Sequence, residues 1–253
     1  MKSLLKGIAL LCIISLAKSA SSQIVNIEEY RISTDSVGWA GSADASLFLN
    51  KNNDFLFSIL TNAQIQHKRP KTLWLLINDM STVQANEQDA FVNAGFLHFR
   101  MNYKLSDRFV IEAFSQGLFN GPLGVKWKLL NGAGLRYKVI GSKKFRLYVA
   151  SLYMQETERN IDATENLYFN RMSNYISLTW EPAKNSRISN TTYYQPVIKN
   201  FSDYRIASNT SIKAFLTKAV YLELEYNLFL DTAPPANTPG TVYTLKSGIG
   251  VEF

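Results

Sequence analysis

The side chains that most often carry enzymatic chemistry are scarce in this sequence. Cys12 is its one cysteine, and His67 and His98 are its two histidines. His67 lies among Lys68, Arg69 and Lys71 and reads as a solvated turn residue. His98 is spaced by two and by four from Arg100 and Asn102, so in a strand all three point the same way. A histidine so placed can serve as general base for a serine on a neighbouring strand, if the two come within hydrogen-bond reach. No serine stands beside it in a recognisable pairing, and a hydrogen-bonding role is the plainer reading. No catalytic residue is therefore assigned, and a lipid-modifying hydrolase using His98 stands as an alternative. With the histidines far apart and the cysteine near the N-terminus, no metal site is expected. Gly132-x-Gly134 lacks the third glycine and following helix of a phosphate loop; in a strand such glycines admit bulky neighbours. No cofactor is expected.

Charge is the richer chemical resource. The chain carries 27 Lys and Arg against 20 Asp and Glu, a formal net charge of +7, without a basic run suited to nucleic acid. In strands, one face collects Arg100, Lys126, Lys128, Arg136, Arg146, Arg205, Lys213 and Lys246, together with Glu223 and Glu225. Ions enclosed by protein must be hydrated or paired. The pattern predicts Glu223 or Glu225 with Arg205 or Lys213, and Lys246 with Asp44. Such a set either lines a narrow pore or fills a lumen as ion pairs. If the lumen is open, Arg100, Lys126, Lys128, Arg136 and Arg146 form a basic wall and predict a weak anion preference.

The elements that must position these charges follow from a period of two. About twelve alternating segments lie near 36–49, 54–66, 71–80, 90–103, 108–119, 124–138, 145–157, 171–181, 186–196, 203–216, 220–231 and 240–253. An even number of antiparallel strands, with short turns alternating with longer loops, predicts an all-β transmembrane β-barrel with Lys246 meeting Asp44 across its closure. Aromatics gather near both strand ends: Trp39, Tyr103, Tyr137, Trp180 and Phe253 at one, Trp127, Tyr153, Tyr194, Tyr204, Tyr243 and Phe91 at the other. Two such girdles mark two membrane interfaces. The irregular segment is 71–80, where Asp79 falls on the lipid side and a bulge or a shifted boundary is expected. The longer loops are expected to carry Glu87, Asp89, Glu158, Asp162, Glu165 and Asp231.

The ends of the chain agree. Lys2 and Lys6, the apolar run Gly7 to Leu16 and the small residues after it read as a secretory signal over 1–22, with cleavage after Ser22 preferred to Ser19. Residues 23–35 form a short periplasmic leader and 36–253 the barrel. The alternating terminal strand ending in Phe253 is what the barrel-assembly machinery of Gram-negative envelopes reads, so that machinery and outer-membrane lipids are the expected partners.

Two stretches carry a family resemblance. Gly38-Trp39-Ala40-Gly41 opens the first strand; Gly132-Ala133-Gly134-Leu135-Arg136-Tyr137 closes the sixth, followed by a turn and Phe145-Arg146-Leu147-Tyr148. This layout resembles the salt-induced outer-membrane protein family, whose barrel domain has no established function. The resemblance implies an envelope barrel linked to salt or osmotic stress and supplies no catalytic residues. The expected role is a non-enzymatic envelope or narrow-pore function in the outer membrane of a Gram-negative bacterium. A structural barrel that docks a partner through its loops is the other alternative.

Overall fold

The computed structural model describes residues 37–51, 55–85, 92–217 and 220–251. The expected signal segment and leader, and Glu87, Asp89, Phe91 and Phe253, lie outside the described residues. The alternation of apolar and polar side chains resolves into twelve strands: β1 (Gly38–Lys51), β2 (Phe55–Lys68), β3 (Thr72–Ala85), β4 (Val92–Lys104), β5 (Phe109–Asn120) and β6 (Val125–Gly141). They continue as β7 (Phe145–Asn160), β8 (Leu167–Ala183), β9 (Ser186–Val197), β10 (Asn200–Phe215), β11 (Val220–Asp231) and β12 (Thr241–Val251). Each pairs antiparallel with the next, and their order in the single sheet is their order in the chain. The all-β, twelve-stranded antiparallel architecture expected from the sequence is the one observed.

Two strands start earlier than the pattern suggests. β8 begins at Leu167 and pairs Leu167 with Glu158, while β10 begins at Asn200, opposite Val197. The β9–β10 connection is thereby reduced to Ile198 and Lys199, and the regular alternation of short turns and long loops breaks there. At the opposite, turn end the connections are tight; in one, Lys104 donates to Asp107 at 2.8 Å and holds this exposed carboxyl below its ordinary range.

β3 runs on to Ala85, the shifted boundary expected there, but the facing of Asp79 is a correction. Its ladders with β2 and β4 run unbroken, and Asp79 faces inward with Leu75 and Ile77, accepting from Asn62 Nδ2 at 3.1 Å. Trp74, Leu76 and Met80 take the outward face. A bulge occurs instead at the start of β6, between Val125 and Trp127, where the ladder to β7 shifts. An extra residue there interrupts the alternation.

The sheet rolls into a barrel, as contacts spanning three strands require. Tyr175 on β8 reaches Glu112 on β5, and Arg205 on β10 reaches Glu156 on β7. Among the described residues the hydrogen-bonded ladder ends at β1 and β12, with a seam between them. The expected Lys246–Asp44 pair is therefore not made: Lys246 Nζ faces Glu225 on β11 at 4.0 Å, and Asp44 stands opposite Asn62 on β2.

Candidate functional site

Burial in this barrel is inverted. Leu245, Ile249, Leu47 and Leu97 are among the exposed residues, whereas Arg100, Glu112, Lys128, Glu156, Arg171 and Arg205 are buried. Period-two strands produce this division because neighbours along a strand take opposite faces, as where Phe99 and Met101 flank Arg100 and Trp127 and Leu129 flank Lys128.

The interior charges form two networks. In the first, Glu112 is completely buried and holds Arg100 Nη1 at 3.3 Å and Arg136 Nη1 at 3.4 Å on its two oxygens. Tyr175 donates its hydroxyl to the same carboxylate at 2.6 Å. The Arg136 guanidinium also lies 4.0 Å from the centre of the Tyr148 ring, a cation–π contact that shields its other side. Gly132 makes room beside this network, since a Cβ there would come within 2.5 Å of the Phe114 ring.

The second network lies toward the loop end. Glu156 accepts from Arg205 Nη1 at 2.6 Å and sits 3.1 Å from Arg171 Nε and 3.4 Å from Lys128 Nζ. Glu158 receives Lys128 at 2.6 Å and Arg205 at 3.3 Å, while Asp231 takes Arg205 Nε at 2.7 Å. Asp203 completes it on Arg171 Nη2 at 2.9 Å. Three cations thus meet four carboxylates contributed by β6, β7, β8, β10 and β11. Such a cluster persists in a low-dielectric interior only because every ion in it is paired. Glu158 and Asp231, expected on outer loops, belong to this interior because the alternation of β7 and β11 continues to their loop ends.

The other predicted interior residues are placed as follows. Lys213 Nζ meets Glu223 at 3.7 Å, and Glu225 accepts from Asn209 at 3.2 Å as well as facing Lys246. Arg146 pairs with Glu181 at 3.4 Å near the turn end. Lys213, Glu223, Glu225 and Lys246 are part-exposed and line a polar strip along β10–β12. Lys126 is a correction: the bulge after Val125 leaves it exposed beside Trp127 and outside the interior. The expected basic wall is therefore broken, and Arg100, Lys128, Arg136 and Arg146 each face a carboxylate.

His98 is held rather than free. Its Nδ1 donates to Gln116 Oε1 at 2.8 Å, and its ring stacks on Phe114 with centroids 5.5 Å apart. That contact is with an amide, not with a serine hydroxyl that could act as nucleophile. Among the described residues no group of three metal-ligating side chains occurs.

An inward turn at the loop end is not marked by the alternation of the strands. Between β5 and β6, Gly121–Leu123 form one turn of 3-10 helix, capped by Asn120, whose side chain accepts from the Leu123 amide at 3.1 Å. Leu123 is buried with Tyr175, Tyr193, Ala207 and Phe229. Gly124 follows at φ +69°, and a Cβ there would meet Thr238 Cγ2 at 2.9 Å and Pro235 Cβ at 3.1 Å. The proline-bearing β11–β12 loop therefore lies directly against the inward turn. Asn120, Pro122 and Gly124 were the available signal: a capping residue, then Pro inside and Gly after a single turn.

Aromatic rings pair on the outward face: Tyr137 lies near Phe109 (4.9 Å), Tyr204 near Tyr194 (5.5 Å) and Tyr243 near Tyr226 (6.4 Å). Trp39 and Trp180 are exposed at the turn end, Trp39 stacking on His67 at 4.4 Å. An ion-paired interior within an apolar, aromatic-ringed exterior defines a membrane-type β-barrel. The chain belongs to the DUF481 family, described as protein of unknown function, which matches residues 43–253. No curated protein is similar enough in sequence to count as a relative. Among solved structures, the chain is similar to the NanC porin in a rhombohedral crystal form, with 10% identity and a TM-score of 0.49, covering 85% of this chain and 98% of that one. It is also similar to the KdgM porin in complex with disordered oligogalacturonate, with 14% identity and a TM-score of 0.42, covering 79% and 98%.

Proposed function

We propose that this protein is a non-enzymatic barrel of a Gram-negative outer membrane whose interior is packed shut along most of its wall. The observation that carries this reading is the Glu156–Arg205–Asp231 network, buried and spanning the interior from β7 to β11. Leu123 and the Pro235 loop add an apolar plug at the loop end. Solute passage is then confined to the part-exposed polar strip of β10–β12, where Lys213, Glu223, Glu225 and Lys246 lie. Export on residues 1–22 and capture of the terminal strand by the barrel-assembly machinery complete the route to the membrane. The resemblance to the salt-induced family supports a role under salt or osmotic stress. Planar-bilayer recording of refolded protein tests the closed interior: small or absent conductance steps are expected. A large, steady wild-type conductance would overturn it. Loss of growth at high salt on deletion of the gene tests the stress role separately, and equal growth would count against it.

A further inference from the structure

The bulge that turns Lys126 out of the interior leaves a cation on the membrane face. Lys126 is exposed beside Trp127, and the alternation of β7 turns Arg159, the ladder partner of Trp127, outward as well. Arg159 Nη2 donates to the Thr164 carbonyl of the β7–β8 loop. The side chains of Lys126 and Asn93 have no hydrogen-bond or ion-pair partner among the described residues, and Asp162 and Glu165 of that loop pair with neither cation.

Next to Lys126 an open groove of about 660 Å³ runs along the outward side of β4–β6, lined also by Asn93, Gly117, Phe119, Trp127 and Leu129. Its floor is a glycine. A Cβ at Gly117 would meet nothing within 4 Å, and the ladders place Gly117 between two exposed leucines, Leu97 on β4 and Leu129 on β6. Gly117 and Leu129 lie two residues further from the loop end than Phe119 and Trp127. At ~3.3 Å per residue and ~45° tilt, that is about 5 Å deeper. The cation therefore sits at the level of the indole, at the interface, and the slot below it lies in hydrocarbon. A second outward groove, of about 370 Å³ on β1–β3, shares the small residues, Gly41, Ala43 and Ala63, but no charged side chain lines it. Lys51, the outward cation of β1, is ten residues from Gly41.

We infer that the β4–β6 groove binds an anionic, phosphate-bearing lipid of the loop-side leaflet, an inference that rests on the membrane reading above. Lys126 holds the phosphate, Asn93 donates to it from the β4 side, and Arg159 adds positive potential from across Trp127. One acyl chain lies over Gly117 between Leu97 and Leu129. A neutral lipid would fill the slot but leave the ammonium without a counter-charge. A soluble anion would meet the ammonium but leave the slot empty. Each Lys or Arg near an anionic lipid surface is worth about a fivefold gain in affinity.

The test uses full-length protein extracted from membranes, exchanged into a zwitterionic detergent and titrated with phosphatidylglycerol, with bound lipid counted by native mass spectrometry. Heat-modifiable migration reports the fold of every variant. One firmly held phosphatidylglycerol per chain is expected, and phosphatidylcholine with the same acyl chains should bind about fivefold more weakly. Lys126→Gln should remove that preference. Gly117→Leu, which fills the slot without striking a neighbour, should weaken both lipids, and Ala63→Leu in the uncharged groove should weaken neither. Equal binding of the two lipids by wild-type protein would overturn the inference and leave the membrane reading standing. So would an undiminished preference in folded Lys126→Gln, or undiminished binding in folded Gly117→Leu. Displacement of the lipid by an equal concentration of glycerol phosphate would also overturn it, since the site would then be one for a soluble anion. Recovery of the protein in the soluble fraction of cells would bring down both readings.

Discussion

Arg205 is the most heavily engaged cation of the interior, and replacing it by Met should be the most informative single change. Its guanidinium touches Glu156 at 2.6 Å, Asp231 at 2.7 Å and Glu158 at 3.3 Å, and all four residues are almost wholly buried. Methionine keeps much of the volume and removes the charge, leaving four carboxylates around Lys128 and Arg171. Removing one partner from a buried ion network costs about 3–5 kcal/mol, because the remaining charge stays desolvated without compensation. That is a factor of two to four decades in the folding equilibrium. Lys213→Met is the matched control, since its contact with Glu223 is 3.7 Å long and both side chains are part-exposed. A pair of that kind contributes about 0.2–1 kcal/mol. Reversible urea unfolding in lipid vesicles, followed by tryptophan fluorescence and by heat-modifiable migration, reads both variants on one scale. Equal stability of the two would refute the idea that the interior is a desolvated ion-pair core, and would favour a water-filled lumen in which Arg205 is hydrated.

Three further outcomes follow from the same structure. Leu245 faces outward and is highly exposed while Thr244 faces inward; Leu245→Arg should reduce folded yield by the ~2–4 kcal/mol expected of Arg at the bilayer midplane, and Thr244→Arg should be tolerated, so equal yields in vesicles would contradict the face assignment. Gly132→Val should destabilise by about 1–3 kcal/mol through collision with the Phe114 ring, and Phe114→Ala should recover part of that loss; additive effects in a double-mutant cycle would rule out the contact. Deleting Phe253 should lower the amount of heat-modifiable protein in the outer membrane, as quantified by blotting, and an unchanged amount would speak against recognition of the terminal strand.

Much of this protein was legible in one dimension. Strand side chains alternate by rule, so the spacing of Arg100, Lys128, Arg136 and Arg205 assigned them to one face before any partner was known. The number of strands followed from the same period. Where that period was interrupted, or ran further than its apolar signal, the reading failed. One extra residue at the β6 bulge turned Lys126 out of the interior, and unbroken alternation carried Glu158 and Asp231 into it. Curvature decided the rest. Glu112 meets Tyr175, and Glu156 meets Arg205, only because the sheet rolls until strands three apart face one another across the interior. Gly124 and Pro235 likewise come together through the path of two loops separated by over a hundred residues. Alternation records which side of its own strand a residue occupies; bulges, roll and loop path determine what it meets there, and no short-range pattern encodes them.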